Sequence, residues 1–326
     1  MGLLIDAMNG EHAPEAPIRA AALLSLDRDL DLCLVGDEAV ITEQLSSLSH
    51  DPSTLMVLDA APGDDPGAAS LDRAMELLHA PGNSALITAA DGADVSRAAR
   101  QRLPRIPGVP SAALCAVYPT ARRRGDRGDP FSLILDVGAS QDATAADLIG
   151  FAHMGSAYAS RISGNTRPKI GLMASRSDLQ HAPESVREAA ARLREDNGVE
   201  FIGGVGGVDI GRGAADVVVC QGSTGAVVID LLLGVPGLVQ ELIRSTHDPG
   251  LTQRLTMSMI KRELRAIRSL TDWKGYGGAP LLGFERAVIT TDPAGSVETF
   301  RNAIRLAAKS IRKDIIGAIR AHFTDA

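Results

Sequence analysis

Short apolar runs alternate with longer amphipathic segments along the whole chain. Most of the runs are continuously apolar rather than alternating, which is typical of parallel strands covered by helices on both faces. The pattern predicts an α/β fold, a three-layer α/β/α sandwich with a mostly parallel sheet. The predicted strands are Leu3–Ile5, Leu32–Val35, Leu55–Leu58, Ala85–Ile87, Ala113–Val117, Leu133–Leu135, Ile170–Met173, Glu200–Ile202, Val217–Val219 and Ala287–Ile289.

Three amphipathic segments carry clear helix signals. Ala145–Arg161 follows a threonine suited to capping, Glu184–Arg194 follows a proline, and Gly295–Arg320 has apolar residues at spacings of three and four. Two segments rich in Gly, Pro and charged residues, Ala61–Ala69 and Thr120–Pro130, are predicted to be exposed loops.

The length fits one large α/β unit, since no internal repeat divides the 326 residues. We therefore expect a single domain over residues 1–326. Segment 236–274 contains two helical stretches without a strand and is predicted to form a helical protrusion or a dimerisation arm.

Charge and composition exclude several classes of protein. The net charge of −7 and the aromatic content of 3% argue against a nucleic-acid partner. The longest apolar stretch, Val217–Val235, is interrupted by Gln221 and Asp230, so no transmembrane helix is expected. The three cysteines lie in apolar runs without metal spacing, which indicates buried thiols in a reducing cytoplasm and no metal site.

Three predicted strands end in an acid, namely Asp6, Asp59 and Asp136. In open α/β sheets ligands bind beyond the carboxyl ends of the strands, so each acid could position a ligand or simply cap a turn. The loop after Asp6 also contains His12, which could act as an acid or base, or could hydrogen-bond its own turn.

A second candidate site follows the strand Val217–Val219. Gly222, Ser223, Thr224 and Gly225 open an apolar helix, and the N–H groups and hydroxyls there favour an anion site over a plain capped turn. A Gly-rich stretch at 203–207 misses the spacing of a dinucleotide fingerprint, so no nucleotide cofactor is expected.

Ten stretches spread over nearly the whole chain form one recognisable pattern. They are Asp6–Pro14, Leu34–Asp37, Ile106–Thr120, Leu135–Ala139, Phe151–Tyr158, Phe201–Gly203, Asp209–Ile210, Asp216–Gly225, Tyr276–Gly283 and Asn302–Arg305. In order and spacing these stretches resemble the PlsX-type phosphate acyltransferases of bacterial phospholipid synthesis.

This resemblance implies a fold related to phosphotransacetylases and isocitrate dehydrogenases. It implies transfer of an acyl group from acyl carrier protein to inorganic phosphate, giving an acyl-phosphate, in a cytoplasmic homodimer with peripheral membrane contact. Asp6 and His12 would position substrate, Gly222–Gly225 would hold phosphate, and Arg176 would supply a positive charge. The substrate contacts that it implies are Asp136, Gly138, Asp209, Gly277 and Gly278.

The sequence departs from the family pattern at polar positions around the expected phosphate pocket. Asp91 and Asp292 introduce carboxylates there, and Ala226 stands where the family has an asparagine. Because added carboxylates repel a phosphate dianion, a second hypothesis is a degenerate homologue that binds acyl carrier protein or a family enzyme, through the basic face at Lys261–Arg268. A dehydrogenase on the same fold is a third and more distant hypothesis.

Overall fold

The computed structural model describes residues 2–60, 65–124, 128–175, 178–245 and 277–324. The elements of the first half are β1 (Gly2–Asp6), α1 (Glu15–Ser25), β2 (Asp31–Gly36), α2 (Glu38–Ser46), β3 (Leu55–Asp59), α3 (Pro66–His79), β4 (Asn83–Thr88), α4 (Gly92–Arg102), β5 (Ala113–Arg124), β6 (Asp129–Leu135) and α5 (Ala145–Ser163). Those of the second half are β7 (Lys169–Met173), α6 (Glu184–Glu195), β8 (Glu200–Val205), α7 (Gly207–Arg212), β9 (Val217–Val219), α8 (Gly222–Ser245), β10 (Ala279–Leu282), β11 (Ala287–Thr290), α9 (Val297–Arg312) and α10 (Ile315–Thr324).

The described strands form one sheet in the order β3-β2-β1-β4-β11-β10-β5-β6-β9-β7-β8. Its pairs are parallel except where β10 meets β11 and β5, and where β5 meets β6. Helices α3, α4, α7 and α8 cover one face, while α1, α2 and α9 together with α5, α6 and α10 cover the other. This confirms the predicted three-layer sandwich with a mostly parallel sheet.

The antiparallel strands divide the sheet into two halves whose parallel strands run in opposite directions. Thr290, at the end of β11, pairs with Ala279, while Leu135, at the end of β6, pairs with Cys115 next to the β10 contact of β5. The two carboxyl ends therefore reach nearly the same level from opposite sides, about three strand spacings or roughly 14 Å apart. A cleft forms where they meet, and both halves contribute loops to it.

The structure confirms every predicted strand and adds β10, which the sequence reading missed. Pro280 lies within this four-residue strand, and proline within an apolar run argues against a strand because it cannot donate a ladder hydrogen bond. Neighbouring strands β11 and β5 on both sides override this local signal.

Two other expectations were wrong. The single helix predicted over Gly295–Arg320 is two helices, because Asp314 adopts a left-handed conformation with φ 48° and its side chain accepts a hydrogen bond from Gly317 N at 3.1 Å. The loop predicted over Thr120–Pro130 is mostly strand, since β5 extends to Arg124 and β6 begins at Asp129.

Helix α8 runs through residues 236–245 of the predicted protrusion, and residues 246–274 lie outside the described part of the chain. The division of the chain into one domain with a protrusion stays a prediction.

A histidine pair joins the C-terminal helix α10 to α5. The Nδ1 atoms of His153 and His322 lie 3.4 Å apart, and His153 Nε2 lies 2.8 Å from Asp196 Oδ2. Partial burial and the neighbouring His153 lower the pKa of His322, and the more weakly felt charge of Asp196 opposes this.

We expect the protein to lose stability as the pH falls below about 6.5, the ordinary pKa of histidine. The unfolded chain protonates His322 first, because the folded state holds this pKa below its ordinary value. His322→Gln should flatten this part of a pH series of urea unfolding curves. His79→Gln, at the exposed end of α3, is the control and should leave the slope unchanged. Equal slopes in all three proteins would contradict the interpretation.

Candidate active site

Asp6 lies at the end of β1 and is fully buried. Its carboxylate accepts hydrogen bonds from Met8 N at 3.1 Å, Asn9 Nδ2 at 2.7 Å, and the hydroxyls of Ser70 and Thr88 at 2.6 Å each. Burial raises the pKa of the Asp6 carboxyl, and these four donors oppose the rise. In this structure the side chain ties β1, α3 and β4 together beneath the cleft.

Asp136 follows β6 in the opposite half and is also fully buried. It accepts hydrogen bonds from the backbone N–H groups of Leu114, Gly138 and Ala139 at 2.9, 3.1 and 2.9 Å. Ser140 donates both its N–H, at 2.6 Å, and its hydroxyl, at 2.7 Å. The carboxylate thus fixes the loop after β6 against the start of β5.

The first turn of α8 packs against this loop without a gap. A Cβ on Gly222 would lie 2.0 Å from Ser140 O, and one on Gly225 would lie 1.8 Å from Asp136 O. Both glycines therefore allow α8 to approach the backbone of the loop after β6 closely. Ser223 is exposed and its hydroxyl donates to Gln141 O at 3.0 Å, and Thr224 is also exposed.

The helix start still leaves donors free. The first intrahelical bond of α8 runs from Gly225 N to Gln221 O at 2.9 Å. Among the described residues no acceptor pairs with the N–H groups of Gly222, Ser223 and Thr224, which is the usual state of a first turn. These groups and the helix dipole are suited to an anion.

A pocket of about 240 Å³ lies in the cleft beside α8. Its walls are mainly apolar and include Val137, Ile229 and Leu233, and its polar lining comes from the end of β11 and from two acids. The pocket lining is Leu114, Ala116, Val117, Val137, Ile229, Asp230, Leu233, Gly278, Ala279, Thr290, Thr291, Asp292 and Pro293. Such a composition suits a mostly apolar ligand with a polar end.

The loop after β1 closes one side of the cleft. Glu11 N donates to Pro293 O at 2.7 Å, and Gly10, at φ 108°, lies against Ala89 and Pro293. His12 is exposed in the turn before α1, and its backbone carbonyl accepts from Ala16 N at 2.9 Å. The loop is therefore placed against the strand ends, with the imidazole in reach of solvent.

The remaining predicted substrate contacts are glycines at close approaches and one capping acid. Gly277 and Gly278 have φ of 93° and 113°, and a Cβ on them would lie 2.3 Å from Asn302 O and 2.2 Å from Thr290 O. Asp209 Oδ2 accepts from Gly206 N at 3.1 Å and caps α7.

Of this group Gly278 lies in the pocket lining. Gly138, at φ 129°, borders the first turn of α8. Arg176, the predicted cation, lies outside the described residues.

Two functional candidates escaped the sequence reading. Thr291 follows β11 in the pocket lining, and within the described part of the chain its buried hydroxyl has no hydrogen-bond partner. Arg100, on α4, donates to Ser96 Oγ at 2.7 Å and to Ala139 O, which places a guanidinium beside the loop after Asp136. Thr291 lies beside Asp292, in a stretch where the sequence departs from the family pattern, and Arg100 lies in no motif; only the three-dimensional contacts show what either side chain touches.

The two added carboxylates have local partners. Asp91 caps α4 by accepting from Ala93 N at 2.8 Å, and Asp292 Oδ1 accepts from Ala294 N at 3.0 Å.

Burial raises the pKa of the Cys220 thiol, and the charge of Asp136 acts in the same direction. Cys220 is therefore a neutral thiol in the core rather than a nucleophile.

Solved structures with this architecture define the class of fold. EutD phosphotransacetylase from Staphylococcus aureus superposes with a TM-score of 0.61 at 16% identity, over 95% of this chain and 94% of that one. A phosphotransacetylase from Streptococcus pyogenes gives 0.60 at 18% identity, over 96% and 94%. The chain has the phosphotransacetylase type of α/β fold.

Sequence comparison identifies the family. The model of the family described as "Fatty acid synthesis protein" matches residues 1–317. A phosphate acyltransferase from Geobacillus thermodenitrificans is 31% identical over 98% of both chains, and one from Halothermothrix orenii is 29% identical over the same shares. The chain belongs to the fatty acid synthesis protein family.

No helix of the described residues is long and apolar enough to span a bilayer.

Proposed function

We propose that this protein transfers an acyl group from the thioester of acyl carrier protein to inorganic phosphate, forming an acyl-phosphate. Family membership supports acyl transfer in fatty acid and phospholipid synthesis. The identity of the acyl donor, the acceptor and the product rests on this proposal.

The arrangement along α8 carries the proposal. Among the described residues, three N–H groups without an acceptor open the helix at Gly222, Ser223 and Thr224, and the apolar pocket begins at Ile229. Thr224 and Ile229 are five residues apart, about 7.5 Å along the axis. The anion at the helix start and the acyl group in the pocket would therefore be neighbours along α8, and the thioester end of the acyl group would extend from the pocket towards the anion for attack on its carbonyl carbon.

The reaction needs no covalent enzyme intermediate. A phosphate oxygen attacks the thioester carbonyl carbon, the carbonyl oxygen takes the negative charge, and the C–S bond breaks as the oxyanion collapses. The proton of hydrogen phosphate passes to the departing sulfur, so the products are an acyl-phosphate and the free thiol of the carrier. The chain's part is to hold the anion and orient the carbonyl.

Removing one N–H donor tests this assignment. We expect Ser223→Pro to raise the KM for phosphate about tenfold, because proline lacks the N–H yet is tolerated in the first turn of a helix. Ser223→Ala keeps the N–H and is the control. Phosphate-dependent release of thiol from acyl carrier protein is the assay, and circular dichroism checks folding. Equal KM values for the two variants would refute the anion site.

The pocket's charges favour one alternative, a degenerate homologue that binds acyl carrier protein without turnover. The charged side chains in the pocket lining are carboxylates, Asp230 and Asp292, and the candidate cation Arg176 lies outside the described residues. Absence of phosphate-dependent thiol release, with retained binding of the carrier, would support this alternative. The candidate docking face Lys261–Arg268 is likewise outside the described part.

The homodimer belongs to the same proposal. Five exposed apolar residues follow one another on α8 at spacings of four, four, three and four, which forms a stripe on one helix face. They are Val227, Leu231, Val235, Leu238 and Leu242. A second copy of the chain would cover this stripe. If analytical ultracentrifugation shows that the parent protein is a dimer and that Leu231→Glu is a monomer, this contact is supported. Peripheral membrane contact through segment 236–274 stays a prediction, and residues 246–274 of that segment lie outside the described part of the chain.

A further inference from the structure

A second pocket, of about 350 Å³, has its helical walls on α5, α9 and α10, which cover the face of the sheet opposite to α8. Strands β10 and β11 and the turn between them form another wall. The pocket extends to Asn83 and Ala287, where β4 and β11 begin, whereas the cleft lies where these strands end. The two pockets share no lining residue, so this one is separate from the candidate active site.

One hydroxyl in the lining of this second pocket is buried without a bond. Ser310, on α9, is 6% exposed, and within the described part of the chain its Oγ has no hydrogen-bond partner. Buried serines in helices commonly donate to the carbonyl one turn earlier, as Ser163 of α5 does to Ala159 O at 2.6 Å. A buried hydroxyl that lacks such a bond costs free energy, which a ligand oxygen would recover.

The charged residues of the lining have partners within the protein. Glu285 forms an ion pair with Arg320 at 3.1 Å, and Arg286 donates to Leu78 O, at the end of α3, at 3.2 Å. Asp314 Oδ1 accepts from a backbone N–H in the first turn of α10 at 3.1 Å. None of these side chains offers an uncommitted opposite charge to an ionic ligand.

The rest of the lining is mainly apolar. Phe284, Ile315 and Ile319 are buried, and Ile311 and Ile316 are partly buried on the two helices that meet at Asp314. Concave apolar walls with a small number of polar groups are typical of small-molecule sites.

We propose that this pocket is a second binding site, which takes an uncharged molecule with an apolar body and an oxygen that accepts a hydrogen bond from Ser310. A carboxylate would lose its hydration there without gaining a free cation, which disfavours an anionic ligand. The proposal does not depend on acyl transfer, because its residues lie outside the cleft.

Binding of 1-octanol and of octanoate tests the proposal, since the two probes have equally long chains and differ in charge at one end. Methyl NMR of isoleucine reports the site directly, because Ile311, Ile315, Ile316 and Ile319 line this pocket and Ile229 lines the pocket in the cleft. We expect 1-octanol to shift the four methyl signals of the second pocket, and to bind about tenfold or more tightly than octanoate.

Ser310→Ala should have opposite effects on binding and on stability. Affinity for 1-octanol should fall about fivefold, because the donor is lost. The urea midpoint of the ligand-free protein should rise, because the substitution removes an unbonded buried hydroxyl and alanine is the better helix former. Ser163→Ala is the matched control and should leave the affinity unchanged, since Ser163 lies outside the pocket lining.

Ala287→Met tests the pocket without touching the hydroxyl. A longer side chain at this lining position occupies part of the space, so the shifts of the four signals on addition of 1-octanol should disappear. Circular dichroism checks that each variant is folded.

Three results would overturn the proposal: shifts confined to Ile229, equal affinities for the two probes, or unchanged binding of 1-octanol by Ser310→Ala. Phosphate-dependent thiol release bears on the proposed function alone, so the two can fail separately.

Discussion

Gly225→Ala is expected to lower the free energy of unfolding by about 3 kcal/mol or more. The new methyl group would lie 1.8 Å from Asp136 O and 2.9 Å from both Asp136 C and Cys220 Sγ. Two of these atoms are backbone, so no side-chain rotation relieves the clash. Helix α8 would have to move away from the loop after β6, which would also displace the three N–H groups at its start.

The same substitution elsewhere on α8 provides the control. At Gly234 no atom of the described residues, apart from the adjacent helix backbone, lies within 4 Å of the position that a methyl group would take. Gly234→Ala should stabilise the helix by up to about 1 kcal/mol because alanine is the better helix former. Urea unfolding followed by circular dichroism measures both variants. Equal midpoints for the two would show that the contact between α8 and the Asp136 loop is not rigid.

Asp136→Asn is expected to cost about 3 kcal/mol or more. The carboxylate accepts from four N–H groups and one hydroxyl, and the substituted amide would turn an N–H₂ group towards donors that have no other acceptor. We expect phosphate-dependent thiol release to fall with stability, because the loop Gly138–Ser140 would no longer support the first turn of α8.

Asp91→Asn is the matched control for Asp136. Asp91 caps α4 with a single exposed hydrogen bond to Ala93 N, and asparagine is an equally favoured capping residue. Its free energy of unfolding should stay within about 0.5 kcal/mol of the value for the parent protein. A stable, fully active Asp136→Asn protein would mean that the loop is held by other contacts.

Much of the fold was predictable because its strands are buried on both faces. Runs such as Val217–Val219 are apolar at every position, and covered parallel strands are the common cause of that pattern. β10 was not predictable locally, since a four-residue strand containing Pro280 becomes a strand only between β11 and β5. The break at Asp314 was hidden because apolar spacing continues across it into α10.

The residues of the site that directly follow strands were predictable from the sequence, whereas the contacts that surround these residues were not. Asp6 and Asp136 were marked by their places after β1 and β6, but the sequence gives no sign that protein donors surround both carboxylates. The glycines of α8 suggested an anion, whereas their nearest neighbours are Ser140 and Asp136. The position of Thr291 is set by the pairing of β4 with β11, and these strands lie about 200 residues apart in sequence. No local pattern in the sequence therefore marks it.

The short strand β10 sets the register between the two halves of the sheet that border the cleft. Its pairing with β11 sets the height of Thr291, and its pairing with β5 sets the height of Leu114, to which the Asp136 loop is bonded. A slip of one residue in either ladder would shift one half against the other by about 3.3 Å. That distance exceeds the reach of a hydrogen bond, so the alignment of the loops across the cleft depends on the register of these four residues.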